Sequence, residues 1–537
     1  MAPPFNLSRI ATVADGIDAN RIALIEEDLT MTYGELDREA NRVAKALLGE
    51  MRQGDRVAFV GRNSMECVTL QLGAARAEVV LVILNWRLHP LELTTVLNDA
   101  APGLIVVGAD FAESVSAVVA GSGPSSVANC RMVLVGEPGA NGWDAWLHGF
   151  DGDALDLLDN AEPAPESVAV QLYTSGTTGR PKGAMLTRRG FGATMPDTAA
   201  IWELDSTSVV LSVLPMFHIA GVGTTIGALA SGSTLVIHND ARAESMIRAI
   251  ERHRVTNLVL ASVMVQMLVE AAGSDADLSS LKTVSYGAAP ISAQALEQAI
   301  ERLRCRMMQP YGLTETTGIL TVLDAEDHRA ASHLDAVVRE RAVSRLRSCG
   351  RARPGVEIRI VDIQTGNTLP TGGVGEVQAR TARLMSGYAN LPDATAEALL
   401  ADGWFRTGDI GEVDADGYLF LRDRLKDTII SGGENIYPVE VEDALQWHPG
   451  IREVAVIGVP HDKWGETPLA VVVRAEGAEG QSLDADDVIG FARSRLAGYK
   501  VPSTVAFVDS LPRNATGKVL RRELRESHWV GHERRIN

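Results

Sequence analysis

Cysteine is scarce in this chain, and the few present are scattered. Cys67, Cys130, Cys305 and Cys349 have no CxxC spacing and no histidine pair close by, which argues against a disulfide framework and a thiolate zinc site and fits a reducing compartment. Positive charge is also short. The 50 Lys and Arg against 69 Asp and Glu leave a formal net charge of −19, a poor balance for holding nucleic acid or anionic lipid by diffuse attraction. Any anionic ligand must therefore meet a local positive site. There is no low-complexity tract and no repeat of solenoid period. The stretch Met1 to Ile10 lacks the apolar core of a secretory signal, and Glu533 to Asn537 carries no peroxisomal or prenylation motif, so a cytoplasmic protein is expected. One long run, Val209 to Asn239, has no Asp, Glu, Lys or Arg and would span a bilayer on length alone. Pro215, His218, Gly221, Gly223, Gly227 and Gly232 interrupt it, and a lipid-facing backbone must satisfy its own hydrogen bonds. The run therefore predicts a buried strand, loop and helix.

What is present is an ordinary globular composition spread over 537 residues, too many for one compact core. At least two domains are required. Early strand-like pieces, Asp55 to Val60 and Val79 to Leu84, alternate with helical ones such as that opening at Thr32, and the alternation recurs at Ser233 to Ile237, Ala243 onward and Val255 to Leu260. This predicts an α/β fold with parallel-type sheets. From about Gly350 short strands with turn residues (Val356 to Val361, Gly375 to Ala379, Gly417 to Leu421) predict a small antiparallel sheet or barrel. After the charged stretch Arg422 to Asp427 a smaller α+β unit follows, with a helix from Pro438, strands at Val454 to Gly458 and Pro468 to Val473, and a helix from Asp484. The expected division is 1–422 as a large domain, 423–427 as a hinge, and 428–537 as a small mobile domain.

The segment Leu172-Tyr-Thr-Ser-Gly-Thr-Thr-Gly-Arg-Pro-Lys-Gly-Ala184 follows an apolar strand, Val168 to Leu172. Its packed Ser, Thr and Gly can surround phosphate oxygens with backbone N–H groups and hydroxyls, and Lys182 adds a point charge. It is not a Walker A loop, because no Gly-Lys-Ser/Thr follows at the required spacing. Tyr173 to Gly183 resembles the phosphate-binding signature of the acyl-adenylate-forming superfamily, which includes acyl-CoA synthetases, luciferases and peptide-synthetase adenylation domains. The resemblance continues in order from about Met31 to Arg522.

On that resemblance, Thr174, Ser175, Gly176, Thr177, Thr178, Gly179 and Lys182 are expected at the ATP phosphates. Gly287-Ala288-Ala289-Pro290 and Tyr311-Gly312-Leu-Thr314-Glu315 are similar to the adenine-binding and metal-binding elements, with Glu315 and Thr174 implied as Mg²⁺ ligands. A hard carboxylate oxygen suits that ion. Gly403 to Ile410 resembles the ribose-binding motif, with Asp409 and Arg424 as the implied ribose contacts. Lys426 falls at the implied hinge. Leu511 to Arg522 is similar to the terminal catalytic motif, with Lys518 as the cation that neutralises charge when a carboxylate attacks the α-phosphate. Gly432, Gly433 and Glu434, in Ser431 to Pro438, resemble the loop lining the pantetheine arm of CoA. Trp464 stands either beside that tunnel or in the core of the small domain.

The resemblance implies a reaction in two halves: acyl-AMP formation from ATP and a carboxylic acid with release of pyrophosphate, then transfer of the acyl group to CoA. His218, with Ala220, Gly221 and Tyr286, is implied at the acyl pocket; as a lone histidine beside Phe217, His218 could equally sit satisfied in the core. Small residues there leave volume for a bulky apolar acid, and the run Arg422 to Asn435 resembles bacterial medium- to long-chain fatty acyl-CoA synthetases. Aryl and steroid side-chain acids stay open as substrates, and a separate carrier protein stays open as acceptor, since only about 15 residues follow Arg522. Luciferase-like oxidation and an inactive nucleotide-binding regulator are the more distant alternatives. A homodimer without nucleic-acid partners is expected. The charged stretch Ala325 to Arg347 reads as a solvated helix or, less in keeping with the net charge, a weak peripheral membrane contact.

Overall fold

The computed structural model describes residues 5–529 apart from 122–126, 128, 129, 138, 154–162, 175–180, 274, 275, 288–290, 292, 331–343, 426, 433, 462, 515 and 516. The chain is a mixed α/β protein with a large N-terminal portion of three sheets and a smaller C-terminal domain built on a fourth.

The first sheet has seven strands, in the order Gly387–Tyr388, Lys182–Thr187, Val168–Thr174, Val80–Leu84, Arg56–Val60, Leu104–Gly108 and Arg131–Val135. Its inner strands are parallel. Every residue of Val80–Leu84 is buried, as a strand covered on both faces should be. The helix Tyr33–Glu50 begins where the sequence predicts, because the Thr32 side chain accepts from Glu35 N while the Glu35 carboxylate accepts from Thr32 N. That reciprocal cap satisfies two otherwise orphaned donors.

The second sheet has nine strands: Arg351–Ala352, Gly318–Leu323, Arg306–Leu313, Thr283–Gly287, Asn257–Ala261, Val209–Ser212, Thr234–Ile237, Ile22–Glu26 and Leu29–Thr32. The uncharged run resolves within it as the strand Val209–Ser212, the helix Ile219–Ala230 and the strand Thr234–Ile237. Among the described residues no helix is long and apolar enough to cross a membrane. A four-stranded antiparallel sheet follows, Val356–Val361, Gly375–Thr381, Phe405–Val413 and Leu419–Arg424.

The C-terminal sheet orders Glu434–Ile436, Ile429–Ser431, Gly465–Arg474 and Ile451–His461, with Thr504–Phe507 added in parallel to Gly465–Arg474. It has its own apolar core around Ile429, Val441, Leu445, Val456 and Val472. The chain therefore changes sheets between Arg424 and Ile429. Asp423, at the end of the last strand of the large portion, accepts from Arg424 N at 2.6 Å and from Val439 N at 3.1 Å. Val439 lies in the first turn of the helix Pro438–Leu445, so this carboxyl ties the two portions together. Around it, Arg521 pairs with Glu442 at 2.6 Å and Arg525 with Asp427 at 3.2 Å.

Candidate active site

The strands Val168–Thr174 and Lys182–Thr187 pair antiparallel, with Thr174 directly opposite Lys182. The phosphate segment is thus the connection between two paired strands, and its two flanking residues are held in fixed register. Ser175, Gly176, Thr177, Thr178 and Gly179 lie outside the described residues, as do Ala288, Ala289, Pro290, Lys426 and Gly433.

Glu315 sits in the turn Thr314–Thr316, nearly enclosed. The Thr174 hydroxyl donates to its Oε1 over 3.4 Å, and the Tyr388 hydroxyl donates to the same oxygen at 2.8 Å. Lys182 Nζ stands 5.0 Å from the centroid of the Tyr388 ring. Among the described residues no group of three or more His, Cys, Asp or Glu side chains could by itself hold a metal ion. One carboxylate and one hydroxyl fit Mg²⁺ better than any ion needing a full protein cage, because Mg²⁺ keeps several waters and takes phosphate oxygens as ligands.

Asp409 is 3% exposed. Arg424 Nε lies 2.6 Å from its Oδ1, and the Tyr311 hydroxyl donates to its Oδ2 at 2.6 Å. Strand pairing sets the first contact, because Asp409 and Arg424 are register partners. Burial, and then the negative charge of Asp409, push the Tyr311 phenol well above its usual range, so it stays a donor. Beside it, a Cβ on Gly312 would fall 1.5 Å from the Gly318 carbonyl oxygen; only glycine closes this irregular pair of strands. A Cβ on Gly287 would lie 3.2 Å from the Pro310 carbonyl oxygen, so this backbone also runs close to its neighbour.

His218 immediately precedes the helix Ile219–Ala230. Its ring packs 4.6 Å from that of Phe217, and its Nε2 is buried without a hydrogen-bond partner. Burial, with Arg87 adding positive charge, lowers its pKa to about 4, so it is neutral at pH 7. It is not a hydrogen-bonded core histidine. A Cβ on Gly221 would meet the Pro215 carbonyl oxygen at 2.2 Å, and Ala220 is half-buried against the apolar cluster of the nine-stranded sheet. Tyr286, implied at the acyl pocket, belongs to the apolar cluster of the nine-stranded sheet. It is fully buried, and its hydroxyl bonds His328 Nε2 at 2.8 Å. His328 Nδ1 faces the Asp324 carbonyl at 2.6 Å; a carbonyl only accepts, so Nδ1 carries the proton and the Tyr286 hydroxyl donates to Nε2. This bond anchors the short helix Ala325–Ala330, which begins the charged stretch.

Lys518 lies in a tight loop in which Asn514 N donates to Lys518 O and Lys518 N donates to Asn514 Oδ1, each at 2.9 Å. The preceding Gly517 has φ +78°, and a Cβ on it would fall 2.5 Å from Val263 Cγ1. Val263 belongs to the helix Ser262–Ala271 of the large portion, so the loop is seated on that portion's surface. Gly432 turns with φ +61°; its N–H donates to the Trp464 carbonyl at 2.8 Å, and a Cβ on it would meet Trp464 Cε3 at 2.7 Å. Trp464 is 45% exposed with Lys463 Nζ 4.3 Å from its ring, which rules out the core position. Glu434, opposite Ser431 in the same hairpin, is exposed.

Tyr388 was not legible as a site residue. Its partner Glu315 is 73 positions away, and no local spacing links them; the one signal is an aromatic following Gly387 on a two-residue strand paired to the phosphate hairpin.

The hairpin carrying Thr174 and Lys182, Glu315 with its two hydroxyl donors, the Asp409–Arg424–Tyr311 set and the Lys518 loop of the smaller domain stand in a chain with the adenylate-forming enzyme fold. The AMP-binding enzyme family matches residues 14–389, and the AMP-binding enzyme C-terminal domain matches residues 440–518. The chain is 37% identical over 522 residues, 96% of its length and 95% of the relative's, to a fatty acid–[acyl-carrier-protein] ligase of Streptomyces coeruleorubidus. It is 36% identical over 502 residues, 92% and 93% of the two chains, to a feruloyl-CoA synthase of an Amycolatopsis species. Among solved structures, ATP-bound MatB from Rhodopseudomonas palustris superposes with TM-score 0.86 at 28% identity, covering 98% of this chain and 100% of that one. The apo form of MatB, at the same identity and coverage, gives 0.74. The chain belongs to the AMP-binding enzyme family and is an acid–thiol ligase of the adenylate-forming type.

Proposed function

We propose that this enzyme is an ATP-dependent acyl-CoA synthetase for a medium- to long-chain fatty acid or another bulky apolar acid. The observation that carries the reading is the closeness of two sets, Thr174 and Lys182 with Glu315, and Arg424 and Tyr311 with Asp409, linked by the electrostatic interaction of Arg424 with Glu315, while Gly517 seats the Lys518 loop on the same large portion.

In the first half-reaction the substrate carboxylate oxygen attacks the α-phosphorus of ATP, and the bond to the bridging oxygen of pyrophosphate breaks. Positioning and charge neutralisation carry such a step. Lys182 meets the departing phosphates, Arg424 and Asp409 hold the ribose, and Tyr311 offers its ring to the adenine. Lys518 lies between the two reacting anions. Glu315 and Thr174 would hold Mg²⁺, which supplies charge neutralisation at the phosphates. In the second half-reaction the CoA thiolate attacks the acyl carbon and AMP leaves with its oxygen. No side-chain nucleophile takes part, in keeping with buried Cys67 and Cys349 and half-buried Cys305, whose thiols burial pushes upward.

The two halves need different faces of the small domain. We assign 1–422 to the large domain, 423–427 to the hinge and 428–537 to the mobile domain, with Gly432, Gly433, Glu434 and Trp464 entering for CoA. The change of sheets between Arg424 and Ile429 supports the boundary. The higher score with the ATP-bound neighbour than with its apo form supports an adenylating orientation here. For the acid, the support is the apolar setting of a neutral His218, packed on Phe217 and close in sequence to the half-buried Ala220.

The test is an ATP–pyrophosphate exchange screen over short, medium and long fatty acids, aryl acids and steroid acids, followed by product analysis with CoA. Exchange with apolar acids and an acyl-CoA product supports the reading. Acyl-AMP that accumulates with CoA present would overturn it in favour of transfer to a carrier protein, the reading favoured by the likeness to the Streptomyces ligase.

A further inference from the structure

Tyr388 touches both charged groups on which phosphate handling rests, through two different parts of its side chain. Its hydroxyl donates to Glu315 Oε1 at 2.8 Å, and its ring face lies 5.0 Å from Lys182 Nζ. The residue is itself held firmly. Its N–H donates to Thr395 Oγ1 at 2.9 Å, it pairs with Ala184 across the antiparallel strand, and on either side Ser386 N and Ala389 N donate to the Met185 and Gly183 carbonyls at 2.9 and 2.8 Å. The strand that carries Tyr388 is thus hydrogen-bonded to the strand that begins at Lys182.

The backbone of Glu315 is tied by Met385 N, which donates to its carbonyl at 2.8 Å, but its carboxylate is held more sparsely. It stands in a three-residue turn, and among the described residues the protein donors to its carboxylate, Tyr388 and Thr174, both address Oε1. A carboxylate accepting a short bond from one side is fixed in rotation, which leaves Oε2 for another ligand. The 3.4 Å approach of Thr174 is a weak bond; the 2.8 Å bond from Tyr388 is the one that orients. The ring then does a separate task, since an ammonium over an aromatic face is attracted by the ring's negative face, which holds Lys182 apart from Glu315.

We propose that Tyr388 is the positioning residue of the adenylation site, its hydroxyl setting the cation-binding carboxylate of Glu315 and its ring seating the phosphate-binding Lys182. The inference rests on the proposed adenylating function. It assigns Tyr388 no contact with substrate.

Tyr388→Phe removes the hydroxyl and keeps the ring; Tyr388→Leu removes both. The enzyme and the two variants are compared by Mn²⁺·ATP binding, read from the electron paramagnetic resonance of bound Mn²⁺, and by the Mg²⁺ dependence of ATP–pyrophosphate exchange at saturating acid. Loss of an outer-shell partner costs about tenfold or more in metal affinity. For Tyr388→Phe we expect the Mg²⁺ midpoint to rise about tenfold and Mn²⁺·ATP binding to weaken by a similar factor. The acid KM and thioester formation from supplied acyl-AMP stay unchanged, and excess Mg²⁺ restores kcat. Tyr388→Leu should show the same metal shift and in addition a raised KM for ATP. An unchanged metal midpoint in Tyr388→Phe overturns the proposal, as does an equal loss in both half-reactions, the pattern of a merely structural residue. Absence of exchange in the unaltered enzyme across the acid panel would instead refute the proposed function itself.

Discussion

Replacing Gly517 by alanine separates the two half-reactions by a steric argument. The substitution carries two costs in the orientation described here. A residue with a Cβ at φ +78° leaves the region open to L side chains, at about 1–2 kcal/mol. The added methyl also falls 2.5 Å from Val263 Cγ1, and overpacking of this kind costs about 1–3 kcal/mol. Together, about 2–5 kcal/mol against seating the Lys518 loop corresponds to a loss of acyl-AMP formation of roughly 30-fold to 5,000-fold. The second half-reaction does not need that seat. Val263→Ala in the same chain deletes the offending atom, and the next one, Val263 Cβ, is at an ordinary 3.7 Å. The double variant should therefore recover the overpacking part and keep only the backbone part, roughly 5-fold to 30-fold. The assay is single-turnover acyl-AMP formation at saturating acid, set beside thioester formation from supplied acyl-AMP. Equal loss of both rates in Gly517→Ala, or no recovery with Val263→Ala, would refute the placement of the loop.

Lys518→Ala should lower acyl-AMP formation by orders of magnitude and spare thioester formation from supplied acyl-AMP; equal loss of both removes the assigned role. Gly432→Ala is the mirror case, since its Cβ would strike Trp464 Cε3 at 2.7 Å. It should slow thioester formation about tenfold or more, with pyrophosphate exchange within about twofold of the unaltered enzyme, and a slowed exchange would contradict it. Asp423 makes the junction sensitive to pH. Burial raises its pKa from 3.8 to about 7, with Glu442 and Asp427 adding and Arg521 opposing. The unfolded chain releases this proton first as pH rises, so the contribution to stability is whole below about pH 4 and is lost as pH climbs through about 7, by at most roughly 4 kcal/mol. Asp423→Asn should flatten the fall in melting temperature between pH 5 and 8; parallel profiles for the two proteins would dismiss the argument.

The fold was readable where periodicity and breakers agree. The Val209 to Asn239 run resolved into strand, helix and strand because Pro215 and the glycines forbid a continuous span. The helix at Pro438 and the strand Val356–Val361 fall at the residues read from the sequence. The candidate site was readable as motifs but not as a geometry. Nothing in the spacing tells that Tyr311 donates to Asp409 from 98 positions away, or that Tyr388 reaches Glu315. Both contacts run between sheets: Tyr311 of the nine-stranded sheet reaches Asp409 of the four-stranded one, and Tyr388 at the edge of the seven-stranded sheet reaches Glu315 in a turn beside the nine-stranded one. Tyr286 is the opposite case. Its neighbour Gly287 belongs to a recognisable motif, but the strand is buried on both faces from Thr283 to Tyr286, and the tyrosine meets His328 of the charged stretch.

The pairing of the two-residue strand Gly387–Tyr388 with a strand formed some 200 positions earlier has a consequence for the chain as it is made. When the ribosome has released the phosphate hairpin, the sheet edge beside it is still bare, and Glu315 arrives before the residue that orients it. The ribose aspartate and its arginine come later, and the catalytic lysine nearly last. From Thr174 to Lys518 is about 340 residues, or roughly 20–70 s of synthesis at bacterial rates. For that interval the nascent chain carries a phosphate-binding segment with no means of activating an acid. On the proposed roles, the residue that neutralises charge between the reacting groups, Lys518, is thus among the last to be made.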